Sequence, residues 1–207
     1  MAKLYFKFGA MGSSKTANAL MTKFNYEEKG KKVWLIKPAI DTRDDYTENG
    51  TTKTIIKSRI GLSAEAQVIG PEQSIIKEIF RSLAGKDITY NVIICDECQF
   101  LSEKQVDELK SLTIDYDMPV LCFGLRSDFQ TKLFSGSKRL FEIADSISEI
   151  KSICRCGKKA IVNARFDKKG EIITEGNQID IGGNEKYEAL CWECYQKEIR
   201  KFKKIDC

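Results

Sequence analysis

The chain contains 207 residues, with 34 lysines and arginines, 30 aspartates and glutamates, eight cysteines and no histidine. Without histidine there is no Ser-His-Asp or Cys-His nucleophile, no histidine-based zinc protease and no Cys₂His₂ finger. Acid–base chemistry therefore falls to carboxylates, lysine, tyrosine or cysteine. The apolar fraction of 42% is typical of a soluble globular protein, and no stretch approaches the roughly 18 apolar residues of a membrane span.

The net charge of +4 is concentrated at the end of the chain, where residues 195–207 hold five basic and two acidic residues. The remainder is almost neutral, which favours a solvated helix end over a surface for nucleic acid. The first residues alternate polar and apolar and lack the continuous apolar run of a signal peptide. We therefore expect a cytoplasmic protein with neither nucleic acid nor membrane as a partner.

Hydrophobic periodicity predicts alternating strands and helices in the first 150 residues. Ser102 and Gln105 have the spacing of a capping box at the start of one helix. The predicted strands are 3–8, 32–37, 90–95 and 120–124, and the predicted helices are 17–28, 72–83 and one that begins at Ser102. This alternation predicts an α/β fold with a parallel sheet covered on both faces.

Two regions interrupt the alternation. Residues 41–61 are polar and rich in threonine, which indicates a flexible loop or a loose hairpin. From residue 151 onward, closely spaced cysteines and short strands predict a small domain held by a metal. We therefore expect an α/β domain at 1–150, a metal-bound domain at 151–194 and a basic tail at 195–207.

A candidate phosphate loop follows the first strand. The sequence Gly9-x-x-Gly12-x-Ser14-Lys15-Thr16 is followed by a helix, as such a loop requires. Backbone N–H groups at the helix start would bind phosphate oxygens, Lys15 would reach the β- and γ-phosphates, and Thr16 would ligate Mg²⁺. Ser14 replaces the usual second glycine, and its side chain would crowd the approach of the backbone to phosphate.

A second candidate feature is the acidic pair Asp96-Glu97 at the end of the apolar strand 90–95. This arrangement places one acid on the magnesium ion and its neighbour beside the reacting phosphate. In an open α/β sheet the carboxyl ends of the strands line the ligand crevice, so Lys15, Asp96 and Glu97 should converge. Since the chain has no histidine, Glu97 is our candidate general base for an alcohol acceptor.

The cysteines fall into two sets. Cys95, Cys98 and Cys122 belong to apolar strands or their ends, and we interpret them as small core residues. Cys154, Cys156, Cys191 and Cys194 form two close pairs separated in sequence. Four thiolates arriving as two pairs are typical of a tetrahedral structural zinc site, although the first pair is one residue shorter than usual. Free or redox-active thiols are the alternative.

These motifs together resemble the type II thymidine kinase family, the cytosolic class that contains zinc. The resemblance covers nearly the whole chain in order and spacing. The resemblance rests on six segments: residues 9–16, Asp41-Thr-Arg43, Asp96-Glu-Cys-Gln-Phe100, Phe123-Gly-Leu-Arg-Ser-Asp-Phe-Gln130, Ile181-Gly-Gly-Asn-Glu-Lys-Tyr187 and Cys191-x-x-Cys194. The resemblance implies a P-loop (RecA-like) kinase domain with a C-terminal lasso domain held by zinc.

What the resemblance implies is transfer of the γ-phosphoryl group of ATP, with Mg²⁺, to the 5′-hydroxyl of thymidine. The family's base falls on Glu97, and the arginine of its Asp-Thr-Arg motif falls on Arg43, where it would bind the acceptor oxygen or the transferred phosphate. The implied ATP- and magnesium-binding set is Gly9, Ala10, Met11, Gly12, Ser13, Ser14, Lys15, Thr16, Asp96, Glu97, Cys98 and Gln99. The implied nucleoside-binding set is Met11, Phe100, Leu125, Phe129, Phe134, Gly182, Gly183 and Tyr187. A homotetramer and feedback inhibition by thymidine triphosphate are further expectations from the family.

Two alternatives fit part of the pattern. Asp96-Glu-Cys-Gln also resembles the acidic box of a helicase-like ATPase, although such a protein needs a second nucleotide-binding domain and a basic channel. The other alternative is a nucleotide-binding adaptor held by zinc, which would bind nucleotide without turning over a nucleoside.

Overall fold

The computed structural model describes residues 1–41, 46–48, 51–85, 89–178 and 187–205. In chain order the elements are β1 (Leu4–Phe8), α1 (Lys15–Glu28), β2 (Val33–Pro38), β3 (Tyr46–Glu48), β4 (Thr51–Lys53), β5 (Ile55–Lys57), β6 (Ser63–Glu65), β7 (Gln67–Ile69), α2 (Ile75–Leu83), β8 (Val92–Cys95), α3 (Glu103–Asp115), β9 (Val120–Gly124), α4 (Ser135–Ile143), β10 (Ser146–Glu149), β11 (Ser152–Ile153), β12 (Lys159–Ala160), β13 (Val162–Phe166), β14 (Ile172–Ile173), β15 (Tyr187–Leu190) and α5 (Trp192–Ile205). Within these residues, none of the helices has the length and apolar character needed to cross a bilayer.

The centre of the fold is a six-stranded sheet in the order β10-β1-β9-β8-β2-β7. All of its pairings are parallel, which confirms the predicted fold class. Strands β8 and β9 are fully buried because helices cover both faces of the sheet. Strand β9 separates β1, which precedes the phosphate loop, from β8, which precedes the acidic pair. The carboxyl ends of all six strands lie at one edge of the sheet, where ligands bind in such folds.

Several predicted boundaries are accurate, but three elements of the central sheet and its covering helices were missed, the first of them strand β7. Helix α2 begins at Ile75 rather than at residue 72 because the Ser74 side chain accepts a hydrogen bond from the backbone N–H of Lys77 at 3.3 Å. The capping box between Ser102 and Gln105 is present at α3, as predicted. Helix α4 and strand β10 were not predicted; β10 is a polar edge strand without the apolar run of its neighbours.

The polar region 41–61 contains strands where the structure describes it. Strands β3 and β4 pair antiparallel, and β5 pairs antiparallel with β6, so the described part forms two short hairpins rather than a structureless loop. Ile56 on β5 is 4% exposed and packs in the core formed with α1 and the central sheet. The hairpin β5–β6 is thereby held against the face of the sheet that α1 covers.

The C-terminal region, defined here as β11 to α5, has its own small core. It contains the antiparallel sheet β14-β13-β15 and the pair β11-β12. Cys154, Cys191 and Tyr195 are buried in this core together with apolar residues from the strands. The region therefore has the short strands and the cysteine-lined interior that the sequence predicts.

Candidate active site

A cavity of about 690 Å³ lies at the carboxyl edge of the central sheet. Its size is within the usual range for sites that bind small molecules. The sequence-predicted residues that line it are Met11, Gly12, Ser14, Lys15, Thr16, Asp96, Glu97, Gln99, Phe100, Leu125, Phe129, Phe134 and Tyr187. Residues separated widely in sequence are thus brought to a single cavity.

The loop between β1 and α1 carries the candidate phosphate-binding groups. Gly9 has no room for a side chain, because a Cβ atom there would lie 2.4 Å from the carbonyl oxygen of Ile150. Ser14, the residue before α1, makes no side-chain capping hydrogen bond within the described part of the chain. The N–H groups of the first helical turn therefore remain available to an anion in the cavity.

The phosphate-loop motif usually has glycine at the position of Ser14, and the backbone conformation there explains why. Ser14 adopts φ 62° and ψ 28°, in the left-handed region that favours glycine, and its side chain is exposed. The penalty for serine is therefore backbone strain of about 1–2 kcal/mol. The crowding of phosphate that we expect from the sequence stays a prediction, and this backbone strain is a separate effect of the same residue.

Replacing Ser14 with glycine should relieve this strain. We expect the free energy of unfolding to rise by about 0.5–1 kcal/mol, because the gain in the folded state exceeds the extra entropy of glycine in the unfolded chain. Urea unfolding measures the change. The matched control is Ser13→Gly: Ser13 is 4% exposed and is not among the residues with positive φ, so this variant should be destabilised. A shift of the same sign in both variants would contradict the explanation.

Lys15 is a buried cation beside two carboxylates. Its Nζ donates to the carbonyl oxygen of Ala10 at 2.9 Å and to Ser13 Oγ at 3.4 Å. Burial lowers the pKa of Lys15, while Glu97 and Asp96 oppose that shift by favouring the charged form. The charged ammonium therefore depends on the acidic pair, which explains why the cation and the two acids occur together.

Asp96 and Glu97 follow β8 directly. Asp96 is 3% exposed, and its carboxylate accepts a hydrogen bond from Thr16. Burial and then the charge of Glu97 raise the pKa of Asp96 to about 7. Glu97 adopts φ 51°, also in the left-handed region, which is a strain typical of functional positions. The surrounding fold therefore holds Glu97 in a backbone conformation that the residue by itself does not favour.

The raised pKa of Asp96 predicts a stability penalty in the protein without magnesium. The folded protein keeps a proton that the unfolded chain releases between pH 3.8 and about 7, so the free energy of unfolding falls as pH rises through this window. Asp96→Asn should therefore remove much of this fall in stability between pH 4 and pH 8, while at any single pH it also removes a charge that helps to keep Lys15 protonated.

Chemical unfolding at pH 4 and at pH 8, without added magnesium or nucleotide, tests this expectation. The control Asp115→Asn changes an exposed aspartate and should alter stability by less than about 0.5 kcal/mol. An equal fall in the free energy of unfolding between the two pH values in Asp96→Asn and in the unsubstituted protein would refute the predicted penalty.

Gln99 connects the acidic pair to the opposite wall of the cavity. Its side chain is 1% exposed, its Nε2 donates to Glu97 Oε2 at 2.5 Å, and its Oε1 accepts from the backbone N–H of Leu125 at 3.0 Å. A side chain at Gly124 would collide with it, because a Cβ atom there would lie 2.6 Å from Gln99 Oε1. Gln99 therefore orients the Glu97 carboxylate.

Aromatic side chains form the wall opposite the phosphate loop. The rings of Phe100 and Phe134 meet edge to face with centroids 5.6 Å apart. The Arg165 guanidinium lies over the ring of Phe129 at 5.3 Å. These flat apolar surfaces, with Leu125 and Tyr187 beside them in the cavity, suit a planar ring such as a nucleobase.

The hairpin β5–β6 contributes cavity residues that sequence reasoning missed. Ser58, Arg59 and Ile60 lie at its turn and line the cavity near the phosphate loop. A Cβ atom at Gly12 would lie 3.6 Å from Arg59 Nη1, and the charge of Arg59 contributes to the lowered pKa of Lys15. The only available sequence signal was a basic residue two positions before a glycine in a polar loop, which is too common to identify a site.

Some predicted residues lie elsewhere. Cys98 is fully buried in the hydrophobic core, as we also predicted, and is not among the residues that line the cavity, so its place in the nucleotide-binding set stays a prediction. Cys95 and Cys122 are also fully buried, as predicted. Three residues of the phosphate loop do not line this cavity: Gly9, Ala10 and Ser13. Arg43, Gly182 and Gly183 lie outside the described residues.

The four C-terminal cysteines converge as the sequence predicts. The Sγ atoms of Cys154, Cys156, Cys191 and Cys194 all lie within 4.8 Å of one another. The Sγ atoms of Cys156 and Cys191 are 3.6 Å apart. A tetrahedral site with Zn–S bonds of about 2.3 Å requires sulfur atoms about 3.8 Å apart, so the cluster fits zinc.

A parallel sheet with a phosphate loop after one strand and an acidic pair after another defines an α/β nucleotide-binding protein of the phosphate-loop class. Comparison with known proteins gives the family. The family described as "TK: Thymidine kinase" matches residues 2–195. The chain therefore belongs to the thymidine kinase family.

Individual relatives agree with this assignment along their full length. The thymidine kinase of Photorhabdus laumondii is 41% identical over 204 residues, covering 99% of this chain and 97% of the relative. That of Zymomonas mobilis is 46% identical over 191 residues, covering 92% and 94%. That of Enterobacteria phage T4 is 42% identical over 201 residues, covering 97% and 99%.

Proposed function

We propose that the protein is a thymidine kinase that transfers the γ-phosphoryl group of ATP to the 5′-hydroxyl of thymidine with Mg²⁺. The observation that carries the proposal is the convergence of Lys15, Asp96 and Glu97 with an aromatic wall in one cavity. Membership of the thymidine kinase family supports the choice of acceptor. The finer roles of the residues are part of the proposal.

The donor half of the site is the phosphate loop. Backbone N–H groups of residues 12–16 bind phosphate oxygens, and Lys15 contacts the β- and γ-phosphates. Thr16 and Asp96 are the residues that would hold Mg²⁺, which when bound neutralises charge on the phosphate oxygens. The hydrogen bond between Thr16 and Asp96 already places these two groups together. Arg43 is assigned from the family to the acceptor oxygen or the transferred phosphate.

The acceptor half brings the hydroxyl to Glu97. The Glu97 carboxylate accepts the proton of the 5′-hydroxyl as the new O–P bond forms and the bond to the leaving ADP breaks. Gln99 holds that carboxylate in place through its short hydrogen bond. The thymine ring of the acceptor lies among Met11, Phe100, Leu125, Phe129, Phe134 and Tyr187. The family also assigns Gly182 and Gly183 to nucleoside binding, on the loop that leads to Tyr187.

The proposal is tested by measuring ADP release from Mg-ATP with a panel of deoxynucleosides, with and without DNA. We expect release that depends on thymidine and yields thymidine monophosphate. Release that depends on DNA without a nucleoside product would favour a helicase-like ATPase. Nucleotide binding without any turnover would favour an adaptor, and either result would refute the kinase assignment.

We also propose that the four C-terminal cysteines hold a structural zinc ion. The short distances between their sulfur atoms support this assignment, and none of the four lines the cavity, so the ion would have a structural role. Metal analysis after gentle purification should give about one zinc per chain. The variant Cys194→Ser should lose most of this zinc, while Cys122→Ser, which changes a core thiol, should retain it. Zinc-free wild-type protein would refute the assignment.

Three further assignments follow from family membership. We propose a homotetramer, feedback inhibition by thymidine triphosphate and a cytoplasmic location. We retain the division into domains at 1–150, 151–194 and 195–207 as a prediction. Light scattering and inhibition kinetics are the measurements that address the first two.

A further inference from the structure

Asn163 is a buried amide at the contact between the C-terminal region and the phosphate loop. It lies on β13, and its side chain is 3% exposed. Its Oδ1 accepts from the backbone N–H of Met11 at 2.8 Å, and its Nδ2 donates to the backbone carbonyl of Ser127 at 2.9 Å. Exchanging the oxygen and the nitrogen would set donor against donor and acceptor against acceptor, so the orientation of the amide is fixed.

The two segments that Asn163 joins form opposite halves of the cavity. Met11 belongs to the phosphate loop, next to Gly12. Ser127 lies between Leu125 and Phe129 in the segment that forms the acceptor wall. All of these residues line the cavity. Beyond the backbone pairing of β1 with β9, this one side chain therefore bridges the phosphate-binding backbone and the wall that holds the nucleoside.

Other contacts along the same boundary each reach one of these segments. Ser152 Oγ lies 3.5 Å from the carbonyl oxygen of Met11, on the side of the phosphate loop. The hydroxyl of Tyr195, from α5, donates to the carbonyl oxygen of Phe129 at 3.2 Å, on the side of the acceptor wall. Asn163 reaches both segments, and its side chain is 3% exposed.

We propose that Asn163 is a positioning residue that holds the phosphate loop and the acceptor wall at the separation needed for phosphoryl transfer. The proposal rests on the proposed kinase function, because only a reaction between two bound substrates is sensitive to this separation. Phosphoryl transfer needs the attacking oxygen in line with the leaving group, and a displacement of about 1 Å can cost about 100-fold in rate.

The test is Asn163→Leu, which keeps the branched shape of the side chain and cannot form either hydrogen bond. We expect kcat to fall by about 100-fold, while KM for ATP and for thymidine each change by less than about tenfold. The reason for this split is that the groups that contact each substrate remain, and only their relative placement changes. Thermal unfolding and zinc content of the same sample give the folded fraction to which kcat is normalised.

Two further variants keep the test decisive. Asn91→Leu is the matched control: Asn91 is exposed, accepts from the backbone N–H of Lys32 at 2.8 Å, and lies at the opposite edge of the sheet, so its kcat should be that of the wild type. If Asn163→Leu does not fold, Asn163→Ser replaces it, because serine is too short to reach both partners and should show the same loss in kcat.

The outcomes separate this inference from the function on which it rests. If the wild-type protein shows no thymidine-dependent turnover, the proposed function fails. If the wild type is active and the folded variant at position 163 has a kcat within about twofold of it, the positioning role is refuted and the kinase assignment stands. A loss that lies entirely in KM, with kcat unchanged, also refutes it.

Discussion

Replacing Glu97 with glutamine should leave ATP binding nearly unchanged and reduce thymidine-dependent turnover by about 100- to 10,000-fold. Glutamine keeps the size of the side chain and its proximity to Gln99 but cannot take the proton of the hydroxyl. Because the chain has no histidine, no imidazole is present to replace the lost base.

Steady-state kinetics and equilibrium ATP binding on the same preparation measure the two effects. The control Glu28→Gln changes an exposed glutamate at the far end of α1 and should retain full turnover. Turnover of Glu97→Gln close to that of the wild type would remove Glu97 from the role of base.

Replacing Lys15 with alanine should weaken ATP binding and lower the stability of the fold. The ammonium group is the buried cation that compensates Asp96 and Glu97, and removing one partner from a buried charge cluster typically costs about 3–5 kcal/mol. Loss of the contacts to phosphate should weaken ATP binding by at least about 10- to 100-fold, from the usual strength of hydrogen bonds to charged groups.

A second variant separates the two effects. Lys15→Arg keeps the charge, so it should be more stable than Lys15→Ala, but its planar guanidinium does not reproduce the contacts of an ammonium group in the loop. Lys23→Ala, which removes a surface ion pair with Glu27, is the control and should bind ATP normally. ATP binding by Lys15→Ala at wild-type affinity would contradict the phosphate-loop assignment.

The sequence predicted those parts of the site that are local in the chain. The phosphate loop and the acidic pair each combine a strand, a change of polarity and a few chemically specific residues within about ten positions. The parallel topology then requires both to lie at the same edge of the sheet. Their meeting in one cavity therefore followed from short motifs and a general rule of α/β folds.

The parts that were missed depend on contacts between distant segments. Asn163 lies in a short strand whose sequence has no recognisable motif. Its two hydrogen-bond partners are backbone groups, which every residue type has, so the sequence does not identify them. Arg59 reaches the phosphate loop only because Ile56 anchors its hairpin in the core. Strand β10 was missed because its sequence is polar, and its place in the sheet depends on pairing with β1.

Ser14 illustrates a different limit. The sequence identified the departure from the motif, but the chemical reason given for it was crowding at phosphate. The structure adds a φ in the left-handed region, which gives a conformational penalty that the residue type does not reveal. A residue type alone does not distinguish a steric problem from a strained φ.

The pairing of β1 has a consequence for how the chain folds. Its partners are β9 and β10, so Leu4 pairs with Val120 and Tyr5 pairs with Ser146. The phosphate loop therefore cannot take its final shape until strands synthesised much later are in place. Such non-local pairing is slow to form and leaves the first apolar strand exposed on the growing chain. ATP binding should consequently be a late event in folding, and it reports completion of the central sheet rather than formation of its first strand–helix unit.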